Sequence, residues 1–498
     1  MIRRSLLLAG TALLLASCAV GPDFLKPTAP PEAGYTPEKR GATASTTVPN
    51  GAPGGSAQRF VDGKDIPGQW WTVFHSEPLN QLIEEALKAN PTLVSAQATL
   101  REAQENVAAE KGVFLPGISG NLSSTREKIS GAEFGNPKSS SIFTLTTGSV
   151  SVSYGIDFFG GERRQLESTE AQEDYQRYQL EAAYLTITSN VVAAAIQEAS
   201  LRAQIAATQE IIVDEKQQLN LLEKQFNLGA AARSAVLAQQ ATLNATQATL
   251  PNLQKQLAQQ RNQLTALAGR FPSQELSQTF DLASLQLPED LPLSLPSALV
   301  QQRPDIQASQ AQLHSASAQV GVAIAAMLPQ ITLNGSYGNT VLDAASLFSG
   351  PGIWSLGAGL ATPVFRGGQL LHQKRAADAA LDAAAAQYRS TVITAFQNVA
   401  DTLRALQSDA DALAAEVAAE STASDNLRIT RSQYQLGAIN YTTLLNAETT
   451  YQQAHVNRVT AQATRYADTA ALFQALGGGW WNRSDVKSAD ADASSKQN

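Results

Sequence analysis

From Ser149 to Phe158 polar and apolar positions alternate without a break: Val150, Val152, Tyr154, Ile156 and Phe158 interleave with Ser149, Ser151, Ser153, Gly155 and Asp157. A period of two marks a β-strand whose two faces meet different surroundings. Ile331, Leu333 and Tyr337 alternate with Gln330, Thr332, Asn334 and Ser336 in the same way, and Trp354, Leu356, Ala358, Leu360 and Val364 share one face of a further segment. The pattern predicts four strands, near 113–126, 142–158, 329–342 and 353–365. Alternation alone fits a half-buried sheet on a soluble core as well as it fits a membrane barrel.

Elsewhere the period lengthens. Glu162 to Phe226 is a run of 65 residues with neither Gly nor Pro, which as one helix would be about 98 Å long. Ile205, Ile212, Leu219 and Phe226 recur every seven residues, as do Val236, Leu243, Leu250, Leu257 and Leu264 in the next segment. Such spacing keeps an apolar seam facing a neighbouring helix. Pro251 predicts a bend or an interruption in the second of these helices.

The chain also repeats itself. "KANPTLVSAQATL" around Pro91 parallels "QQRPDIQASQAQL" around Pro304 at an offset of 213, and "DFFGGERRQ" parallels "PVFRGGQLL" at 207. "FNLGAAARSAVLAQQATL" from Phe226 parallels "YQLGAINYTTLLNAETTY" from Tyr434 at 208. Anchors in the same order at nearly constant offsets predict a duplicated unit. Gly229 and Gly437 fall where each copy would turn from one long helix into the next, so the repeated phrase marks two hairpin tips. The predicted organisation is a first repeat over 68–270, a linker over 271–295 and a second repeat over 296–481. An extended, Pro- and Gly-rich tether over 18–67 precedes them, and a disordered tail over 482–498 follows.

Composition and charge narrow the setting. Aromatic residues make up 6% and charged residues 16% of the 498-residue chain, and Ala and Gln dominate the long tracts, which favours extended helices over compact α/β units. Arg3 and Arg4 precede an apolar run from Leu6 to Leu15, the layout of a bacterial export signal over 1–17. Leu15-Ala16-Ser17-Cys18 has the form of a lipobox, and Cys18, the only cysteine, is the predicted lipidation site. An ordinary cleaved signal is the alternative. Ala19, where an Asp would signal inner-membrane retention, favours the outer membrane.

Loss of the signal removes Arg3 and Arg4 and takes the formal charge from -8 to -10, which argues against nucleic acid as a partner. After the signal no stretch of 18 apolar residues occurs, so a membrane crossing would fall to the strands. Closed membrane barrels begin at about eight strands, so four require several chains to share one barrel. Tyr154, Phe158, Tyr337 and Trp354 are candidates for an interfacial aromatic belt.

Catalytic patterns are missing. The four histidines (His75, His314, His372, His455) are scattered, no His-Glu-x-x-His spacing or cysteine ligand set occurs, and neither a Walker loop nor a Gly-x-Ser-x-Gly elbow is present. The sequence predicts no enzyme, no metal and no cofactor.

The lipobox, the duplicated halves, two strands per half, helices of about 65 residues and paired [FY]-x-L-G-A tips together resemble the outer-membrane efflux proteins of the TolC type, most closely their lipoprotein, NodT-like branch. The resemblance covers about residues 68–481, including "ALGGGWW". It implies an α+β membrane protein whose three protomers share a twelve-stranded barrel in the outer membrane, continued into the periplasm by an α-helical barrel. It implies a passive, homotrimeric exit duct for drugs or other small toxic solutes. The partners would be a periplasmic adaptor, an inner-membrane pump of the RND type and outer-membrane lipid. An exit duct for protein secretion and a non-conducting, lipid-anchored coiled-coil scaffold are the alternatives.

The resemblance assigns adaptor docking to Gly229, Ala230, Gly437 and Ala438, and a periplasmic gate to Tyr434, Thr442, Thr443 and Asn446. Relatives place an Asp after a Leu-Leu pair here, whereas Leu444-Leu445 is followed by Asn446. Three carboxylates about 6 Å apart would repel by roughly 3 kcal/mol per pair at an effective dielectric of about 20. Three amides would not, so the expectation is a gate of hydrogen bonds among Tyr434, Thr443 and Asn446 with weaker cation selectivity. The alternative is that Asn446 only packs in the coil.

Overall fold

The computed structural model describes residues 19–31, 34–38, 41–46, 54–130, 132, 135 and 138–486. In chain order the elements are β1 (Arg59–Asp62), α1 (Glu77–Ala89), α2 (Pro91–Gly112), β2 (Gly117–Ser130), β3 (Ser140–Ile156), α3 (Gly161–Asn227) and α4 (Arg233–Leu267). There follow β4 (Asp290–Leu293), α5 (Pro296–Gln302), α6 (Pro304–Ala325), β5 (Gln330–Val341), β6 (Gly352–Ala361), α7 (Gln369–Gln435) and α8 (Tyr441–Ala475).

The lengths carry the duplication. Helices α2 and α6 have 22 residues each, α3 and α7 have 67, and α4 and α8 have 35. Each 22-residue helix opens on a proline, Pro91 or Pro304, whose missing N–H is no loss in a first turn. Helix α4 runs through Pro251 without interruption. Proline deprives the helix of one backbone bond, and neighbours on either side keep the remaining ladder intact.

The chain divides into two compact units. One comprises residues up to Pro27, Thr99–Arg177 and Ala308–Arg389 and carries a four-stranded sheet in the order β2-β3-β5-β6. All its pairings are antiparallel, and the β3–β5 ladder joins the two repeats. In register, Ile118 lies opposite Val152, Val150 opposite Tyr337, and Tyr337 opposite Trp354, so the alternating apolar residues assemble on one face. Ser153 and Asn334 (3.0 Å) and Ser336 and Ser355 (2.8 Å) hydrogen-bond across the other.

The sheet stays uncovered: β6 is exposed along its entire length and β2 at all but one residue, Ile129, and these are the two edge strands. Tyr337 and Trp354 are exposed on the apolar face, Tyr154 is half-buried, and Phe158 lies beyond the end of β3. The outer strands start and stop short of expectation, β2 beginning at Gly117 just after Pro116 and β6 ending at Ala361 two residues before Pro363, prolines that cannot donate to a ladder.

The second unit comprises Thr28–Ala98, Tyr178–Gln307 and the chain from Ser390 on. Here two expectations are corrected. The segment read as a tether to residue 67 is built into the fold: the Tyr35 hydroxyl donates to the Ser294 carbonyl (2.8 Å), buried Thr43 donates its N–H to Gln58 (2.9 Å), β1 pairs in parallel with β4, from Arg59↔Asp290 to Asp62↔Leu293, and Ile66 is buried. The segment read as a linker supplies that partner strand together with buried Phe280, Leu282, Leu285 and Leu291. Both segments lack periodicity because they bury isolated residues rather than a face.

The tail is also ordered further than expected. Trp480 donates to the Gln302 carbonyl (2.6 Å), Trp481 and Asn482 donate to Asp65 (3.0 and 2.6 Å), and Arg483 pairs with Glu181 (2.6 Å) beneath the Tyr184 ring. Among the described residues no helix is long and apolar enough to cross a membrane.

Candidate functional site

The two tips are built alike. At the end of α3 the Ala230 N–H donates to the Gln225 carbonyl (2.8 Å) and the Gly229 N–H to the Phe226 carbonyl (2.9 Å). At the end of α7 the Ala438 N–H donates to Gln433 (2.9 Å) and the Gly437 N–H to Tyr434 (3.0 Å). Each is a Schellman closure, which needs a left-handed residue just past the helix. Gly229 and Gly437 supply it with φ of 76° and 71°. The residues just before them, Leu228 and Leu436, are each 84% exposed. Sequence reasoning named the glycines and alanines and passed over these leucines, although the shared Leu-Gly-Ala was on view.

Behind the tips the two hairpins pack together. Leu222, Leu427, Tyr441, Leu444 and Ala447 form a buried cluster, flanked by Ala231, Ala235 and Val236 of the first hairpin and Tyr434 and Tyr451 of the second. The Tyr434 ring meets Tyr441 edge-on at 5.8 Å, and its hydroxyl donates to Gln225 (3.0 Å). The Tyr441 hydroxyl bonds Gln239 of α4, whose own amide donates to the Glu215 carbonyl (3.1 Å). Gln225, Gln239 and Tyr441 tie the hairpins together and carry no motif. Their only sequence signal is a polar residue at a position packed in the seam.

Deeper between the helices the contacts become ionic. Glu215 accepts from Thr246 (2.9 Å) and Gln452 (3.1 Å) while its Oε2 is buried without a partner. Burial raises its carboxyl above the ordinary range against both bonds. Burial also raises Glu448, with Arg431 at 3.5 Å pulling the other way and Glu215 and Asp214 adding to the rise. Arg431 lies 3.9 Å from Asp214. Glu420 is the opposite case: burial raises it, but His455 and Arg458 (2.6 Å) outweigh burial and hold it low.

The gate candidates are brought close along the chain but not into one network. Tyr434 is engaged with Gln225, and Thr443 donates from both N–H (3.0 Å) and hydroxyl (2.9 Å) to Asn440, the N-cap of α8. Thr442 and Asn446 are exposed. The expected bonds among Tyr434, Thr443 and Asn446 are therefore not made within the chain, because the cap claims Thr443 and the neighbouring hairpin claims Tyr434.

Cys18 lies outside the described residues, but the chain just after it is docked. The Val20 N–H donates to the Phe159 carbonyl (3.0 Å), Arg164 donates to Val20 O (3.1 Å) and Asp23 (2.6 Å), and the Phe24 ring stacks on His314 at 4.3 Å. Gly160, at φ 75°, permits this: a Cβ there would stand 2.6 Å from the Ala19 Cα. Among the described residues no group of three or more His, Cys, Asp or Glu is placed to hold a metal.

Residues 82–270 and 295–478 match the family described as outer membrane efflux protein. The pyoverdine export outer membrane protein OpmQ of Pseudomonas putida is 31% identical over 430 residues, spanning 83% of this chain and 89% of OpmQ. The cation efflux system protein CusC of Escherichia coli is 28% identical over 476 residues, spanning 94% of this chain and 97% of CusC. The solved outer-membrane channel OprN superposes with a TM-score of 0.83 at 26% identity, covering 93% of this chain and all of OprN's (100%). The matched segments are the two repeats that carry the sheet, the long helices and the tips. The chain belongs to the outer membrane efflux protein family, and its role is that of the outer-membrane channel of an efflux system.

Proposed function

We propose that three copies of this chain close one twelve-stranded barrel and serve as a passive exit duct for small toxic solutes, fed by an inner-membrane pump of the RND type through a periplasmic adaptor. The observation that carries this reading is the uncovered sheet. Its apolar face and edge strands are exposed, and both open edges and broad apolar faces are liabilities in water. A closed barrel in lipid satisfies both at once. Relatives named for pyoverdine export and for cation efflux support a duct indifferent to cargo, with selection at the pump.

Acylation of Cys18 would hold the N-terminus at the sheet's base, where residues 19–24 are docked. At the tips, Leu228, Gly229, Ala230 and their counterparts Leu436, Gly437 and Ala438 offer two small apolar knobs per chain to the adaptor. Asn446, exposed beside them, takes the pore-facing place of a gating carboxylate, with Tyr434, Thr442 and Thr443 around it.

Planar-bilayer recording of the purified trimer tests the duct, and a protein that inserts without conducting would overturn it. Asn446→Asp is expected to raise the cation-to-anion permeability ratio severalfold, because a ring of carboxylates attracts cations and a ring of amides does not. An unchanged ratio removes Asn446 from the gate. Palmitate labelling lost in Cys18→Ser, with the barrel still formed, is the expected mark of the anchor.

A further inference from the structure

The two places where a strand hands over to a 67-residue helix began as copies, at an offset of 207, and no longer agree. At the first, the Asp157 carboxylate accepts from the N–H of Glu162 (3.1 Å) and Arg163 (3.0 Å), and the Arg163 side chain folds onto it (3.2 Å). Phe158 meets Phe159 edge-on at 5.0 Å, and Arg164 is taken by Asp23 (2.6 Å) and Glu167 (2.7 Å). Residues 157–170 hold four acidic and two basic side chains. This junction satisfies itself.

At the second, Val364 stands where Asp157 stood, and residues 364–377 hold Arg366, Lys374 and Arg375 with no acidic residue. Gly367 and Gly368, both left-handed at φ 58° and 84°, turn the chain into α7 and leave the preceding residues standing out. Val364 is 94% and Phe365 87% exposed. Lys374 is answered by Asp378 (2.7 Å), whereas Arg366 and Arg375 are exposed and make no ion pair with the described residues. Leu371, one turn before Arg375, is exposed too. The patch follows directly on β6, whose Trp354, Leu356 and Leu360 belong to the apolar face of the sheet.

We infer that the second junction is a binding site for an anionic phospholipid. Val364 and Phe365 enter the acyl margin, and Arg366 and Arg375 hold the phosphate-bearing headgroup. An apolar pair beside unpaired guanidinium groups is the arrangement that a bilayer margin rewards, because the rings and methyls leave water while the charges stay at headgroup level. Guanidinium groups also match phosphate oxygens in pairs. The acidic counterpart at the first junction repels the same lipid, so the site exists once per chain. The inference rests on the sheet lying in a bilayer, as proposed above.

The test is native mass spectrometry of the purified full-length trimer titrated separately with phosphatidylglycerol and phosphatidylcholine. Phosphatidylglycerol is expected to bind more tightly. Arg366→Gln combined with Arg375→Gln is expected to weaken it by about 30-fold, since one basic side chain at an anionic surface is worth about fivefold. Arg163→Gln at the first junction should leave binding unchanged. Equal affinity for the two lipids, or an equal loss with Arg163→Gln, overturns the site. Phe365→Ser would also overturn it by dissociating the trimer while phosphatidylglycerol bound per chain stays constant, which would assign the patch to a second copy of this chain. Conductance of the double variant separates the outcomes: a conducting trimer without lipid preference sinks the lipid site and leaves the duct standing.

Discussion

The two hairpin tips share a phrase, a turn geometry and an exposed leucine, yet they are held differently. Helix α8 starts with a side-chain cap, Asn440 to the Thr443 N–H, and buries Tyr441 and Leu444 within its first turn. Helix α4 starts at Ala232 without a side-chain cap, and Arg233, the counterpart of Tyr441, is exposed. The second tip is thus the anchored one, and the first gains its packing by leaning on it through Gln225 and Gln239. Duplication kept the backbone instruction and let the contacts diverge. The turn persists in both copies, while only one hairpin holds the pair.

Breaking the anchor should give the largest effect. Tyr441→Ala empties a buried aromatic site and strands Gln239, and is expected to destabilise the tips by about 3–5 kcal/mol. Arg233→Ala, at the matching exposed position, should cost no more than about 0.5 kcal/mol. The denaturant midpoint reported by a fluorophore on Leu228→Cys measures both, and equal effects would dissolve the distinction between the tips.

Next come the turns themselves, where the tips should behave alike. Gly229→Ala and Gly437→Ala each force a Cβ into a left-handed residue with open space around it, so only backbone strain is felt. A loss of about 1–2 kcal/mol is expected for both. A difference above about 1 kcal/mol between them would show that packing, not φ, limits the turn.

The smallest effect is a pH dependence. Glu448 and Glu215 keep their protons in the folded chain above the ordinary 4.5, mainly because of burial. With folded values raised, their contribution is fully present below the unfolded value and is lost as pH rises through the raised one. Tip stability should therefore decline as pH rises above the ordinary carboxylate range, an effect softened by partial solvent access. Glu448→Gln should flatten the profile, and a profile that instead rises with pH would place the response on Glu420, whose lowered value makes its contribution grow as pH rises.

Much of this architecture is legible along the chain because it is periodic. A two-residue alternation and a seven-residue seam are local statements, and Gly229 and Gly437 announce a turn by what only glycine does cheaply. The pairing of β1 with β4 across more than two hundred residues is not local, and neither segment alternates over enough positions to signal a strand. Gln225, Gln239 and Tyr441 escape notice for a related reason. A polar residue in a seam reads as a lapse until the partner on the other hairpin is in place.

By itself the sequence determined the duplicated unit, the strand faces, the long helices and the position of both tips, because each depends on neighbours within a few residues. Only the tertiary structure decided which tip is anchored, that β1 and the inter-repeat segment are parts of the second unit, and that one strand–helix junction answers its own charges while its copy leaves two arginines without an ion pair among the described residues. Those outcomes depend on which side chains meet across hundreds of residues, and no local period encodes that meeting.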